Sequence, residues 1–468
     1  MEPRSLSYVT TGCGGQLLRG TPDATITRVC TDSRGTRAGD LFFALSGERF
    51  NGHEFLDQVE RRGAQAVVIE REKVNTPSPG CAVIAVDNTR KALGRLAAHY
   101  RRDFDLPVIA VGGSNGKTTT KELLASVLRQ RFPTLSSEAS FNNDIGVPLS
   151  LLRLDRSHRA GVFEVGTNHP GELAPLVRMV RPRMGVLTGI AREHLEFFED
   201  LRGVAEEEGW LAELLPETGR LFVNGDSPDL ESILNRTRAA VTRVGFGPAN
   251  DWRAVRVEAD ETGASFQIET SDPEMRGDYR VNLIGRHQVV NALLAAAVGR
   301  ELGLVRNEIQ KGLAGCRPLV MRMQVWKTND VHVLDDAYNA NTDSMLAALE
   351  TLKEFPCAGR RVAVLGEMAE LGPHSARAHA EIGRRAAELN LDQLFAVGKM
   401  AGVMGAAARA AGLMRVLELG DSDSVARAVK LFVRSGDVIL VKASRAARLE
   451  RVTEALRDNN EYTQSIKG

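Results

Sequence analysis

Residues 108–121 read VIAVGGSNGKTTTK, an apolar run that breaks into a glycine-rich turn and ends on Gly-Lys-Thr. A strand feeding such a turn into a helix leaves backbone N–H groups unpaired at the helix N-terminus, where they hold phosphate oxygens. In that arrangement Lys117 reaches the β and γ phosphates of a nucleoside triphosphate and Thr118 puts its hydroxyl on Mg²⁺. Gly112, Gly113, Ser114, Asn115 and Gly116 form the turn. The spacing Gly112-x-x-x-Gly116-Lys117-Thr118 is one residue shorter than the usual GxxxxGK[ST], because Val111 stands where the first glycine would be. The VIAV run before it and TTTKELLASVL after it favour a phosphate loop over a glycine turn that merely caps a helix.

Outward from the loop, the apolar runs VIAVG, AGVFEVG and RMGVLTG are separated by helical segments, the rhythm of a parallel sheet with crossover helices, and LFVNGD at 221–226 extends it. Between 252 and 284 the pattern turns to alternation in WRAVRV, ASFQIE and YRVNLI, which predicts an antiparallel patch on that sheet. GRHQVVNALLAAAVGRELG then reads as a buried helix. Before the loop, LFFAL, AVVIE and AVIAV alternate with polar turns in a small α/β unit. After GLAGCRPLV at 312–320, the runs VHVLDD, RRVAVLG, QLFAVG and DVILVKA repeat the strand and helix alternation. The chain therefore reads as three α/β domains: residues 1–105, a central phosphate-loop domain at 106–316, and a Rossmann-like domain at 317–468.

Sixty basic and sixty acidic residues cancel, so no global field favours nucleic acid or an anionic membrane. The five cysteines are scattered and lack a CxxC pair, which points to a reducing cytoplasm and away from disulfides or a zinc site. No stretch has the ~18 apolar residues of a membrane helix, so no stable membrane insertion is expected.

Two further residues belong at carboxyl ends of strands beside the loop. Glu164 closes the apolar run before TNHPGE, where a carboxylate could take Mg²⁺ or simply be a charge on a solvated strand edge, and His194 follows MGVLTGI, where an imidazole could be a ligand or a structural histidine. The acidic triplet Glu206-Glu207-Glu208 is by default an exposed helix face, although one of its carboxylates could point back toward a metal.

Taken in order, TDSRGTRAGDLFFALSGERFNGHEFL, GGSNGKTTTKE, SFNNDIGVPLSLL, EVGTNHPGE, GRHQVVNALLAA, DDAYNANTDSM, VLGEMAELG and VILVKASRAARLE resemble the successive signatures of the Mur ligase family over nearly the whole chain. EVGTNHPGE and DDAYNAN favour its dipeptide-adding member. The resemblance implies a cytoplasmic monomer that uses ATP and Mg²⁺ to join D-alanyl-D-alanine to a UDP-N-acetylmuramoyl-tripeptide through an acyl phosphate, in peptidoglycan precursor synthesis. It further implies that Lys117 and Thr118 handle phosphates and a first Mg²⁺, that Glu164 bridges metals and that His194 binds a second. Asn291 would meet adenine, Arg322 the phosphates and Asp336 the ribose. Ser33, Arg34 and Ser46 would contact the uridine nucleotide, Asn142 and Asn143 would line the muramoyl-peptide path, and Lys442, Ser444 and Arg445 would lie near the peptide end. These parts meet only if the third domain closes, so an open ligand-free form is expected.

Three departures accompany the resemblance. Family members carry a CO₂-carbamoylated lysine fourteen residues after the metal histidine; here that count lands on Glu208, a carboxylate on a shorter stem. Gly189 and Gln288 each replace a usual asparagine. The competing readings are the sister ligase that adds diaminopimelate or lysine, and, because of the missing lysine, a non-catalytic ATP-binding regulator.

Overall fold

The computed structural model describes residues 1–47, 50–73 and 80–465, with side chains as far as residue 457. Glu48 and Arg49, inside the quoted 31–56 segment, lie outside the described residues.

Three large sheets organise the chain. The strand Val108–Gly112 lies in a nine-stranded sheet, flanked on one side by Ala160–Glu164 and on the other by Met184–Leu187, all parallel. All three are buried along their length, as a sheet covered on both faces requires. The register sets Glu164 opposite Val111 and Leu187 opposite Gly112, so the three strands deliver their carboxyl ends to one level. The chain leaves Val108–Gly112 between neighbours that cross over on opposite sides, the topology that opens a ligand crevice. The sheet continues through Arg220–Asn224 and Ala240–Gly245, then turns antiparallel where Trp252–Asp260, Gly263–Thr270 and Gly277–Val281 pair in sequence. The helix His287–Glu301 is buried nearly all round, and its alanines let it pack closely against Lys117–Leu128.

The N-terminal five-stranded sheet is mainly parallel, with Gln16–Arg19 antiparallel at one edge. Its helix Thr89–Arg101 docks on the central unit: the Tyr100 hydroxyl donates to the Leu154 carbonyl at 2.6 Å, and Arg101 Nε to the Val180 carbonyl at 3.0 Å. In the C-terminal six-stranded sheet, Val331–Asp336 and Val438–Lys442 run parallel and end with Asp336 opposite Lys442. The edge strands Gln324–Thr328 and Val416–Leu419 escaped the sequence reading; both are half-exposed and of mixed polarity, so neither shows the apolar run of a buried strand. Among the described residues no helix is long and apolar enough to cross a membrane.

Contrary to the open form expected from the sequence, the C-terminal unit is docked on the central one. Leu187, Ile190 and Leu195 share a continuous apolar core with Met345, Met368 and Leu371. Polar ties reinforce it. Arg192 makes a forked pair with Asp343, Nη2 to Oδ1 at 2.6 Å, and a second with Glu381, Nη1 to Oε2 at 2.9 Å. The Arg192 backbone N–H also donates to Asp343 at 2.7 Å. Asn115 and Asn341 exchange amide hydrogen bonds of 3.3 and 2.9 Å.

Candidate active site

The phosphate loop is shaped by two glycines. Gly113 has φ +108°, and a Cβ there would fall 2.5 Å from the Thr188 hydroxyl oxygen and 2.9 Å from the Thr188 backbone nitrogen. Gly116 has φ +82°, and a Cβ there would meet Asn291 Oδ1 at 2.8 Å. Both positions require a left-handed backbone and close approach, which only glycine tolerates. Ser114 N–H donates to the Gly189 carbonyl at 2.8 Å, tying the loop to the end of the neighbouring strand, where Gly189 itself has φ +146°.

Lys117 opens the helix and folds back over the loop, donating to the carbonyls of Gly113 at 2.5 Å and Ser114 at 3.1 Å. Burial pulls its pKa down, but the carboxylates of Glu193, Glu208 and Glu164 outweigh burial and hold the ammonium above its ordinary value. Glu193 Oε2 is 3.8 Å from Lys117 Nζ, and burial pushes the Glu193 carboxyl up from its ordinary value.

Glu164 and Thr118 meet directly. The Thr118 hydroxyl donates to Glu164 Oε1 at 3.1 Å, and Asn142 Nδ2 donates to the same oxygen at 2.9 Å. Glu164 is almost wholly buried, and its Oε2 has no protein partner. An orphaned carboxylate oxygen beside a threonine hydroxyl is a donor set suited to a hard cation such as Mg²⁺, so these residues fit a metal. Glu164 and His194, expected to serve a second metal, line the same cavity wall. His194 Nδ1 is paired with Glu370 from the C-terminal unit, Glu208 lies behind the loop, and among the described residues no three His, Cys, Asp or Glu side chains converge as metal ligands.

A cavity of about 540 Å³ lies between the central and C-terminal units. Its wall brings together Ser114 to Thr118, Asn142, Asn143, Glu164, His194, Asn291, Arg322, Asp336 and Lys442. Arg322 stacks over Tyr338, 4.1 Å from the ring centroid, and donates to Ser140 at 2.9 Å, so it crosses from one unit to the other. Lys442 Nζ donates to Asp336 Oδ2 at 2.5 Å. Asn291 Nδ2 donates to Gln288 Oε1 at 2.8 Å, so the amide kept at position 288 is engaged.

Other candidates lie off this wall. Ser33 and Arg34 sit on an exposed turn where Arg34 pairs with Asp32, and Ser46 accepts from Lys73 at 2.9 Å. Ser444 binds backbone, accepting from Ala369 N–H at 2.7 Å, and Arg445 faces Glu450 on the outer surface. Gly112 and Gly113 form the underside of the loop, where Glu208 Oε2 accepts the Gly113 N–H at 2.7 Å. Glu207 and Glu208 are buried, 5 % and 1 % exposed, which overturns the default reading of the acidic triplet as a solvated face; only Glu206 is exposed. Burial pushes the Glu208 carboxyl up to about 7.

Several participants were missed from sequence. Glu193, Glu370 and Asn341, the partner of Asn115, all fall in or beside quoted signatures, yet only the fold shows that they touch the loop or its histidine. Lys121, fully buried four residues after Lys117, donates to the carbonyls of Ser137 and Ala139 at 2.7 Å each, steadying the segment that carries Ser140. A lysine on the apolar face of the loop helix was its available signal.

Family models match three successive stretches: the Mur ligase family catalytic domain at 25–101, the Mur ligase middle domain at 111–299, and the Mur ligase glutamate ligase domain at 321–445. The UDP-N-acetylmuramoyl-tripeptide–D-alanyl-D-alanine ligase of Escherichia coli K12 is 36% identical over 463 residues, covering 97% of this chain and 98% of that protein. The crystal structure of MurF from Acinetobacter baumannii superposes with a TM-score of 0.89 at 31% identity, covering 98% and 99% of the two chains. MurF ligase from Thermotoga maritima, solved in complex with ADP, gives 0.80 at 29% identity over 93% and 98%. With an unbroken order of domains and near-complete coverage of a relative above 30% identity, the chain belongs to the Mur ligase family.

Proposed function

We propose that this chain is the ATP-dependent ligase that joins D-alanyl-D-alanine to UDP-N-acetylmuramoyl-tripeptide in the cytoplasmic assembly of peptidoglycan precursor. The single observation that carries the reading is the shared cavity, in which Lys117, Thr118 and Glu164 of the central unit face Arg322, Asp336 and Lys442 of the C-terminal unit. Near-full-length likeness to a D-alanyl-D-alanine ligase selects the amine.

ATP with Mg²⁺, when bound, supplies the phosphoryl group that turns the tripeptide's terminal carboxylate into an acyl phosphate. Release of that phosphate follows as the dipeptide amine bonds to the carbonyl carbon. Lys117 neutralises charge on the phosphates from a pocket where its ammonium is held protonated by three carboxylates. Thr118 and Glu164 would hold the cation, with Asn142 fixing one carboxylate oxygen of Glu164. Asn291 and the neighbouring Gln288 meet the base, Asp336 the ribose and Arg322 the phosphates from across the cleft. Ser33, Arg34 and Ser46 take the uridine end, Asn143 the peptide path, and Ser444 and Arg445 the far end of the peptide. The three units are assigned to residues 1–105, 106–316 and 317–468. Docking of the C-terminal unit excludes water from the reactive acyl phosphate.

Phosphate release measured across nucleotide-peptide and amine pairs tests this reading. D-alanyl-D-alanine with a UDP-muramoyl-tripeptide is expected to support turnover. Turnover with a diamino acid on the shorter peptide and none with D-alanyl-D-alanine would reassign the chain to the sister reaction.

A further inference from the structure

The helix Leu201–Glu213 presents two successive carboxylates to two different turns. Glu207 accepts the N–H of Gly171 at 2.9 Å and of Leu173 at 2.8 Å, capping the turn that leaves the strand Ala160–Glu164. Glu208 accepts the N–H of Gly113 at 2.7 Å, in the turn that leaves the adjacent strand Val108–Gly112. The approach is tight, since a Cβ on Gly112 would fall 3.1 Å from both Glu208 Oε2 and Leu211 Cδ2. Consecutive helical residues differ by about 100° in direction, so one rigid helix reaches both turns at once.

We infer that Glu207 and Glu208 are positioning residues which lock the phosphate loop and the 166–173 turn in fixed register, Glu208 acting as acceptor for the Gly113 N–H and not as a metal ligand. The inference rests on the ligase reading for its catalytic consequence, but the anchoring stands on geometry alone. Glu208 is 1 % exposed and contributes nothing to the cavity wall, whereas Glu164 does. Its second oxygen, Oε1, is buried without a protein partner, so metal ligation is the rival role that a test must separate. An amide side chain settles this: glutamine keeps an acceptor for the Gly113 N–H but is a poor substitute for a carboxylate on a divalent cation.

The test compares Glu208→Gln, Glu208→Ala and Glu207→Ala with the parent as full chains. Hydrogen exchange is read over 108–120 and 166–176 without ligand, and ATP KM, kcat and the Mg²⁺ midpoint are read from phosphate release. Glu208→Gln is expected to keep the slow exchange of the loop, while Glu208→Ala speeds loop exchange and raises ATP KM about tenfold, as loss of a buried hydrogen bond implies. The Mg²⁺ midpoint should be the same in all. Glu207→Ala should speed exchange at 166–176 and leave 108–120 unchanged. Should Glu208→Ala not fold, Glu208→Asp, whose shorter stem withdraws the oxygen, takes its place. Unchanged loop exchange in Glu208→Ala or Glu208→Asp overturns the anchor. A Glu208→Gln variant as impaired as Glu208→Ala, with its Mg²⁺ midpoint raised about tenfold, overturns it in favour of ligation. A parent inactive with every substrate pair sinks the ligase reading instead, and exchange still decides the anchor.

Discussion

Arg192→Ala should loosen the clasp between the central and C-terminal units. The Arg192 guanidinium binds Asp343 and Glu381 together, and the three side chains are 35 %, 34 % and 32 % exposed. At that exposure solvent screens the pairs, so each contributes ~0.5–1 kcal/mol, and the two together about 1–2 kcal/mol. That corresponds to roughly a 5- to 30-fold shift of the docked population toward the open one. Other ties remain, including the Arg192 backbone N–H on Asp343 and the Asn115–Asn341 pair, so docking weakens without being abolished. Small-angle scattering of the ligand-free chain should show a larger radius of gyration for the variant, and its ATP KM should rise while the site itself stays intact. In the parent, raising NaCl from about 50 to about 500 mM should move both readings in the same direction, because screening reaches partly exposed pairs. Arg192→Ala should lose most of that salt response. Scattering and ATP KM unchanged by the substitution, with salt still acting on both, would refute the clasp.

Lys117→Met should abolish phosphate release by about two orders of magnitude or more, as loss of a preorganised cation at the phosphoryl group implies, with the melting temperature little changed; turnover near the parent's would remove Lys117 from the chemistry. Glu164→Gln should raise the Mg²⁺ midpoint of phosphate release by about tenfold or more, since it removes the charge behind the orphaned oxygen, and an unmoved midpoint would refute the metal assignment. Burial pushes the Cys13 and Cys316 thiols up to about 12 from 9.0, so the folded chain keeps protons that the unfolded chain releases. Stability from this source is whole below about pH 9 and drains as pH rises toward 12. The fall in Tm between pH 8.5 and 10.5 should therefore be smaller in Cys13→Ala than in the parent, and equal falls would show that the thiol does not titrate in that window.

Much of the fold is legible because buried parallel strands write themselves as apolar runs. VIAVG, AGVFE and MGVL are recognisable without context, and the switch to alternation after Trp252 marks the antiparallel patch. Edge strands such as Val416–Leu419 carry no such signature, since half of their surface faces water. At the site, Lys117, Thr118 and Glu164 follow from one rule: their positions are tied to strand ends. Glu208 was reachable as one of an acidic triplet and as a count from His194, and neither says which way a side chain points. The docking contacts were illegible for a different reason: Asn115 and Asn341 are 226 residues apart, and no local pattern connects them.

That amide pair differs in kind from the Arg192 clasp. Each asparagine donates one hydrogen bond and accepts another, the pair carries no net charge, and ionic strength leaves it largely alone. Asn341 Oδ1 also accepts the Ser344 N–H at 2.8 Å, so the same oxygen that reads the phosphate loop starts the helix Thr342–Glu354. Grip and alignment are thus separate properties of this enzyme. Salt can weaken how firmly the two units hold each other, while an uncharged key tied to a helix end still dictates where they meet when they do.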